Sequence, residues 1–390
     1  MKKQIIYASF LFVCLLNGCA KYLDSEPANF LTDKDIYGSE EGATAYLARL
    51  YSLIPIEDFN MRPGTQNGLT ATAYQAHLTG EAINAPVDEK ASVGAGISLQ
   101  WWRNSDGAYF AIRDINTFIE KLPTATFTED LKNKFMGEAK FLRAYCYFGL
   151  VKRYGGVPII TKPQAYSPND LTPLYVSRNT EKECYDFIAQ DLDEAIAKLS
   201  VTSVSGRVNK YAALAFKSRV MLFPASIAKY GNLDLNNILG VPSVDAGKYW
   251  QAAYDAAKAV IDANRYSLYN KNPDKAQNFA DLFLVPESAG NPEIIFARYW
   301  LYPYKGHSYD RNNLPFSQKS PAGYSSRINP TLELVEKYEY INNPDGRLKL
   351  ADASGKLIRY ANPLDIFKDK DPWRIYLPLL KRWCQNAFKL

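Results

Sequence analysis

Two adjacent tryptophans, Trp101 and Trp102, followed by Asn104 and Asp106, form a cluster whose residue types suit recognition of a polar ligand that has apolar faces. Flat indole rings stack on such faces while nearby amides and carboxylates bond hydroxyl groups, so a concave site of this kind binds without reacting. Asn104, with a polar neighbour on each side, is the expected hydrogen-bonder; of the two rings, one is expected in the site and one packed inside the fold. Aromatic residues are plentiful, with 28 tyrosines and 6 tryptophans. Tyr302, Tyr304, Tyr309 and Tyr324 lie in a polar stretch containing glycine and proline, where tyrosine offers broad amphipathic contact at low entropic cost.

Searches for catalytic chemistry return little. There is no H-E-x-x-H, no phosphate-binding G-x-x-x-x-G-K-[ST], no G-x-S-x-G elbow and no complete EF-hand loop. Gly94-Ala95-Gly96 lacks the third glycine of a dinucleotide fingerprint. His77 and His307 are the only histidines and neither has a local catalytic signature. Asp369 and Asp371 could belong to a carboxylate pair, but spacing in sequence does not reveal a two-acid glycosidase site. Asp191 and Asp193 sit in a helical pattern with Glu194 and Lys198 and read as a solvated face. No cofactor or metal is expected.

The elements that must position these residues are mostly helices. In Glu40 to Leu53, Ala43, Tyr46, Leu47, Leu50 and Tyr51 recur at spacings of three and four, as an amphipathic helix requires. Further helical patterns run over about 100–121, 129–153, 179–199, 208–228 and 247–263, with Asp130, Asn179 and Asn209 as expected caps and Gly155-Gly156 closing the second of these. Pro224 is expected to kink or end its helix. Leu142-Arg143-Ala144-Tyr145-Cys146-Tyr147-Phe148 resembles Ser218-Arg219-Val220-Met221-Leu222-Phe223, which suggests tetratricopeptide-like hairpins. The segment from Asp58 to Gly96, with five glycines and two prolines, reads as a long surface insertion. Beyond about residue 270 the texture changes to short apolar pieces: Glu293 to Ala297 is β-like and Asn343-Pro344-Asp345-Gly346 a tight turn.

The 390 residues are 47% hydrophobic and 22% charged, which excludes a disordered chain, and a net charge of +5 without a block of like charges gives no nucleic-acid footprint. Lys2 and Lys3, then the apolar run Ile5 to Leu16, then Leu16-Asn17-Gly18-Cys19 read as an export signal, too short an apolar run for a membrane-spanning helix. A small residue before cysteine resembles the lipobox of bacterial lipoproteins. Cleavage would then follow Gly18 and acylated Cys19 would anchor the chain in lipid. Cys146, Cys184 and Cys384 show neither disulfide nor zinc spacing and read as buried or incidental thiols.

Seven pieces in order resemble the SusD/RagB family of surface nutrient-binding lipoproteins. They are Gly18-Cys19, Tyr109-x-x-Ile112-Arg113-x-x-Asn116, Gly137 to Tyr145, Tyr154 to Ile159, Lys210 to Arg219, Asn291 to Phe296 and Pro330 to Val335. The resemblance implies a mainly α body of tetratricopeptide-like hairpins, residues 19–270, after a signal peptide at 1–18. A loop-rich, ligand-bearing C-terminal portion follows at 271–372. It further implies a protein without catalytic activity, anchored at the outer-membrane surface, that captures a glycan and delivers it to a SusC-like TonB-dependent transporter docked on the helical face. Arg143 and Arg219 are then structural, or face the transporter. Trp101, Trp102 and Asn104 carry over as glycan contacts by their place before the Tyr109 helix, with Trp300, Tyr302 and Tyr304 joining them from the later loops. The alternatives are a peptide ligand, a surface glycoside hydrolase or a protein-binding scaffold. One departure stands out: after Asp371-Pro372 the chain reads Trp373 to Leu390 without the family's pattern. The expectation is an aberrant tail at 373–390, produced by a frameshift or an early stop.

Overall fold

A computed structural model of the chain describes residues 32–54, 80–84, 107–286, 289–299 and 328–370. Its helices, in chain order, are α1 (Asp33–Tyr37), α2 (Glu40–Leu53), α3 (Ala108–Lys121), α4 (Glu129–Tyr154), α5 (Glu181–Lys198), α6 (Lys210–Tyr230), α7 (Ala246–Asp262), α8 (Lys275–Leu284) and α9 (Leu332–Lys337). Two short strands, β1 (Ala82–Asn84) and β2 (Ile328–Pro330), pair antiparallel with Ile83 opposite Asn329. The architecture is mainly helical, as the periodicity requires. From α3 to α7 each helix packs on its neighbour in the chain, and α2 lies across α3 and α4.

One core runs through this array. Leu47 and Leu50 of α2, Ile112, Ile115 and Phe118 of α3, Phe135, Phe141, Leu142 and Tyr147 of α4, and Tyr185, Ile188 and Leu192 of α5 are all buried in it. Buried alanines on α4, α5, α6 and α7, such as Ala139, Ala195, Ala213 and Ala253, let the helices approach closely. At 26 residues, α4 extends about 39 Å at 1.5 Å per residue. It is buried on most sides, because a helix apolar around much of its girth has to lie in the centre.

The α5 and α6 caps follow side-chain chemistry, and the cap positions lie within two residues of those expected. Asn209 caps α6, accepting the Ala212 N–H at 2.8 Å. The α5 cap is Thr180, which forms a capping box with Glu183, while Asn179 just outside accepts the Ile159 N–H at 3.0 Å. The α4 cap is Thr128; Asp130 lies in the first turn, where its charge faces the positive end of the helix dipole. Pro224 neither ends nor closes its helix, since α6 continues to Tyr230 with Pro224 buried inside it. Tertiary packing there offsets the missing N–H.

Gly155 and Gly156 close α4 as read, and a further reason for them emerges from a turn at 234–239. Leu235, Asn236 and Asn237 all have positive φ, and Asp234 pairs with Leu239 across the turn. Gly156 donates its N–H to the Ile238 carbonyl at 2.6 Å, and Glu181 donates its backbone N–H to the Asn237 carbonyl at 3.2 Å. A Cβ on Gly156 would stand 1.9 Å from the Asn179 carbonyl oxygen, a backbone atom with nowhere to go. Gly156→Ala is therefore expected to destabilise by about 1–3 kcal/mol, as overpacking does, read as a lower urea midpoint.

Glu181 ties the same junction from the other side. Its buried carboxylate accepts the Gly240 N–H at 2.6 Å. Burial raises its pKa, opposed in part by that hydrogen bond. A raised folded-state pKa favours the protonated form in the fold. Glu181 thus supports folding most at acid pH, and that support is lost as pH rises through the folded-state pKa. Glu181→Gln retains an acceptor for Gly240 without the charge. Thermal melts should show the variant gaining over wild type at pH 8 and gaining little at pH 4.

Past α7 the chain departs from the sequence reading at three points. Glu293 to Ala297 is irregular, not a strand. Ile295 packs on the helical core and Phe296 meets Phe141 edge-on at 5.8 Å, so helices cover this piece rather than a neighbouring strand. The 58–96 segment, read as a long surface insertion, contributes β1, whose partner strand lies far along the chain at 328–330. The turn near Asn343 spans Tyr340 to Asn343, with Asn343 and Asp345 each accepting a backbone N–H two residues on. A second small cluster gathers Val335, Ile366 and Phe367. Beside it, buried Lys370 donates to the carbonyls of Tyr338 and Gly346 and lies 4.5 Å from the Tyr340 ring centroid.

Candidate functional site

Trp101, Trp102, Asn104, Trp300, Tyr302, Tyr304 and Cys19 all lie outside the described residues, as do His77, His307 and the tail 373–390. What the structure gives is how the chain is held where it leaves each aromatic tract. Gly107 begins α3, and within it Tyr109, Ile112 and Asn116, at spacings of three and four, turn toward the body. Tyr109 donates its hydroxyl to the Pro158 carbonyl at 2.7 Å and meets the Tyr147 ring edge-on. The Asn116 amide donates to the Ile160 carbonyl at 2.7 Å. The motif Tyr109-x-x-Ile112-Arg113-x-x-Asn116 is thus a seat for the helix that follows Trp101, Trp102 and Asn104, and of its four named residues Arg113 is the exposed one. Before Trp300, Phe296 meets Phe141 of α4 and Ile295 packs on the helical core.

Beneath these seats is a buried ionic network that the sequence reading missed. Arg143 donates through Nε and Nη2 to the two carboxylate oxygens of Asp191 at 2.7 and 2.8 Å, and through Nη1 to Asn116 Oδ1 at 2.8 Å. Lys140 reaches the same carboxylate at 3.0 Å and Glu194 at 2.9 Å. Asp191 is 1% exposed, so its assignment to a solvated face is corrected; Asp193 is on that face, paired with Lys217. The i, i+2 spacing of Asp191 and Asp193 places them about 200° apart around a helix, which is the signal that one of the pair turns inward. A second buried carboxylate, Glu138, accepts from Arg207 at 2.7 and 2.8 Å and from the Tyr51 hydroxyl at 2.7 Å, joining α2, α4 and the residue run into α6. Burial, and then the Glu138 charge, hold the Tyr51 phenol well above its ordinary range. Arg143 is structural as read, whereas its counterpart Arg219 is exposed, so the internal likeness of α4 and α6 stops short of this network.

These groups satisfy one another through the hydrogen bonds just described. The thiols of Cys146 and Cys184 are buried, and burial pushes the latter up to about 11, which favours the thiol over the thiolate. Among the described residues no cluster of three or more His, Cys, Asp or Glu could hold a metal ion. An open cavity of about 490 Å³ lies between α5, α6 and α7, lined by Ile196, Leu214 and Ala252 with Asp193, Lys217 and Asp255 at its margin. Its charged groups are already engaged, Lys217 with Asp193 and Asp255 with Gln251.

The comparisons with known proteins agree with this architecture. Residues 21–222 match the model of a SusD-like family described as starch-binding and associating with the outer membrane. A SusD-like protein of Formosa agariphila is 26% identical over 305 residues, covering 75% of this chain and 52% of that protein. A SusD superfamily structure from Parabacteroides distasonis, 26% identical, superposes with a TM-score of 0.59 over 80% of this chain and 60% of its own. A SusD-like structure from Bacteroides fragilis, 23% identical, gives 0.60 over 89% and 62%, and shows the shared fold. The chain spans about half the length of the curated relatives it matches. With the family model covering more than half of its residues and the same helical array beneath it, this chain belongs to the SusD-like family of the SusD/RagB group.

Proposed function

We propose that this chain is a glycan-binding lipoprotein of the outer-membrane surface, anchored through Cys19, that hands its ligand to a SusC-like TonB-dependent transporter and catalyses no reaction. The observation that carries the reading is the family match over residues 21–222, laid on a helical array whose buried charges are spent on structure. In this proposal Trp101, Trp102 and Asn104 make the principal contacts, with Trp300, Tyr302 and Tyr304 arriving from the other side of the sequence. The α3 seat and the Phe296–Phe141 contact hold residues that flank the two tracts in sequence, and a held flank lowers the ordering cost of binding. Retardation of the purified chain in native gels cast with polysaccharides tests the proposal. Slowed migration on at least one glycan, unchanged by excess mixed peptides, is expected. Retention relieved by peptides would turn the reading toward a peptide ligand.

A further inference from the structure

The cavity between α5, α6 and α7 has a floor and a rim of different chemistry. Ile196 of α5, Leu214 of α6, and Ala252 and Ala256 of α7 make the floor, and all four are buried or half-buried. The two alanines stand one turn apart on α7 and leave the space that larger side chains would fill. Its volume of about 490 Å³ falls within the range of small-molecule sites. Two carboxylates and two ammonium groups, from Asp193, Asp255, Lys217 and Lys248, complete the lining. Of these, Asp193, Asp255 and Lys248 are exposed and so form the rim. The frame is fixed: Asp186 of α5 accepts from Lys248 Nζ and from the Tyr249 hydroxyl of α7, each at 2.8 Å.

The four charged groups are each hydrogen-bonded once, and none to capacity. Lys217 spends one of its three N–H groups on Asp193, and Lys248 spends one on Asp186. Asp255 accepts the Gln251 amide through Oδ1 at 2.8 Å and Asp193 accepts Lys217 through Oδ1, so Oδ2 of each has no partner among the described residues. Ion pairs with an exposed member contribute little, so exchanging part of them for a ligand costs little. The charges also decide which ligand fits. An anion would gain two lysines but meet two carboxylates, and a cation would meet the reverse, whereas a ligand with one charge of each sign is complementary to both. The floor adds a demand for an aliphatic group. The geometry points to a binding site for a free aliphatic α-amino acid. Its side chain rests on Ile196, Leu214, Ala252 and Ala256, its ammonium pairs with Asp193 or Asp255, and its carboxylate pairs with Lys217 or Lys248. The site is built wholly from α5, α6 and α7, and its failure would leave the glycan reading untouched.

The test titrates leucine into the full chain labelled at its isoleucine, leucine and alanine methyl groups and follows them by NMR. Saturable shifts are expected at Ile196, Leu214, Ala252 and Ala256, with a Kd of about 1 mM for a ligand of this size. Leucinamide, which lacks the carboxylate, and N-acetylleucine, which lacks the ammonium, should each bind about tenfold more weakly. Asp255→Asn combined with Lys248→Met changes two exposed side chains and should weaken leucine about tenfold or more, with circular dichroism unchanged. Absent shifts at the four methyls across the titration, or shifts confined to other parts of the chain, would overturn the site. Binding of leucinamide or N-acetylleucine as tight as that of leucine would overturn the choice of a zwitterion. Unaltered affinity in the folded double variant would overturn the role of the rim.

Discussion

Arg143→Met should cost about 3–5 kcal/mol of folding stability, the range for removing one partner of a buried ion pair. The guanidinium holds both oxygens of an Asp191 that is 1% exposed, and the change also leaves Asn116 Oδ1 without its donor at 2.8 Å. Lys140 stays at 3.0 Å from Asp191, which places the expected loss toward the lower end. Because α3, α4 and α5 all contribute to the network, urea unfolding should show a lower midpoint with an unchanged slope. Arg143→Met with Asp191→Leu should recover part of the loss, since an apolar pair of similar volume costs far less than an orphaned charge. Recovery absent in the double variant would mean that the charge pair was not the source of the effect.

The second large effect concerns binding. Trp101→Ala with Trp102→Ala should weaken glycan retention by about a hundredfold or more, since a central stacking residue contributes about 2 kcal/mol or above and each 1.4 kcal/mol is tenfold. Retention is read by affinity electrophoresis and folding by circular dichroism on the same preparation. Retention that survives in a folded double variant would refute this site. Asn104→Ala, which deletes a hydrogen bond and no stacking surface, should weaken binding by about three- to tenfold.

What could be read from the sequence and what could not divide along physical lines. Helix α2 was legible because Ala43, Leu47 and Leu50 repeat at the helical period and are all buried. The N-caps of α5 and α6 were legible from capping chemistry to within a residue, since Thr180 and Asn209 accept the backbone N–H of Glu183 and Ala212. Pro224 misled because propensity is local, whereas the packing that keeps α6 intact around it comes from other helices. Asp191 misled for a similar reason: its cations, Arg143 and Lys140, sit some fifty positions earlier on another helix, and side-chain spacing on one helix does not reveal a partner on the next. Strand β1 has three residues and a partner about 250 positions away, too short and too distant for an alternation signal. The seat of α3 was legible as a motif, but its purpose, Tyr109 and Asn116 bonding the 158–160 backbone, emerged only from the fold.

The most direct test of the central claim is to incubate the purified chain, residues 20–390, with fluorescently labelled oligosaccharides and to follow binding and product composition in the same samples. The account predicts a saturable rise in anisotropy for at least one glycan, with the ligand recovered at its original length. Shorter products accumulating with time would contradict it, as would an absence of binding to every glycan while the helical fold is intact.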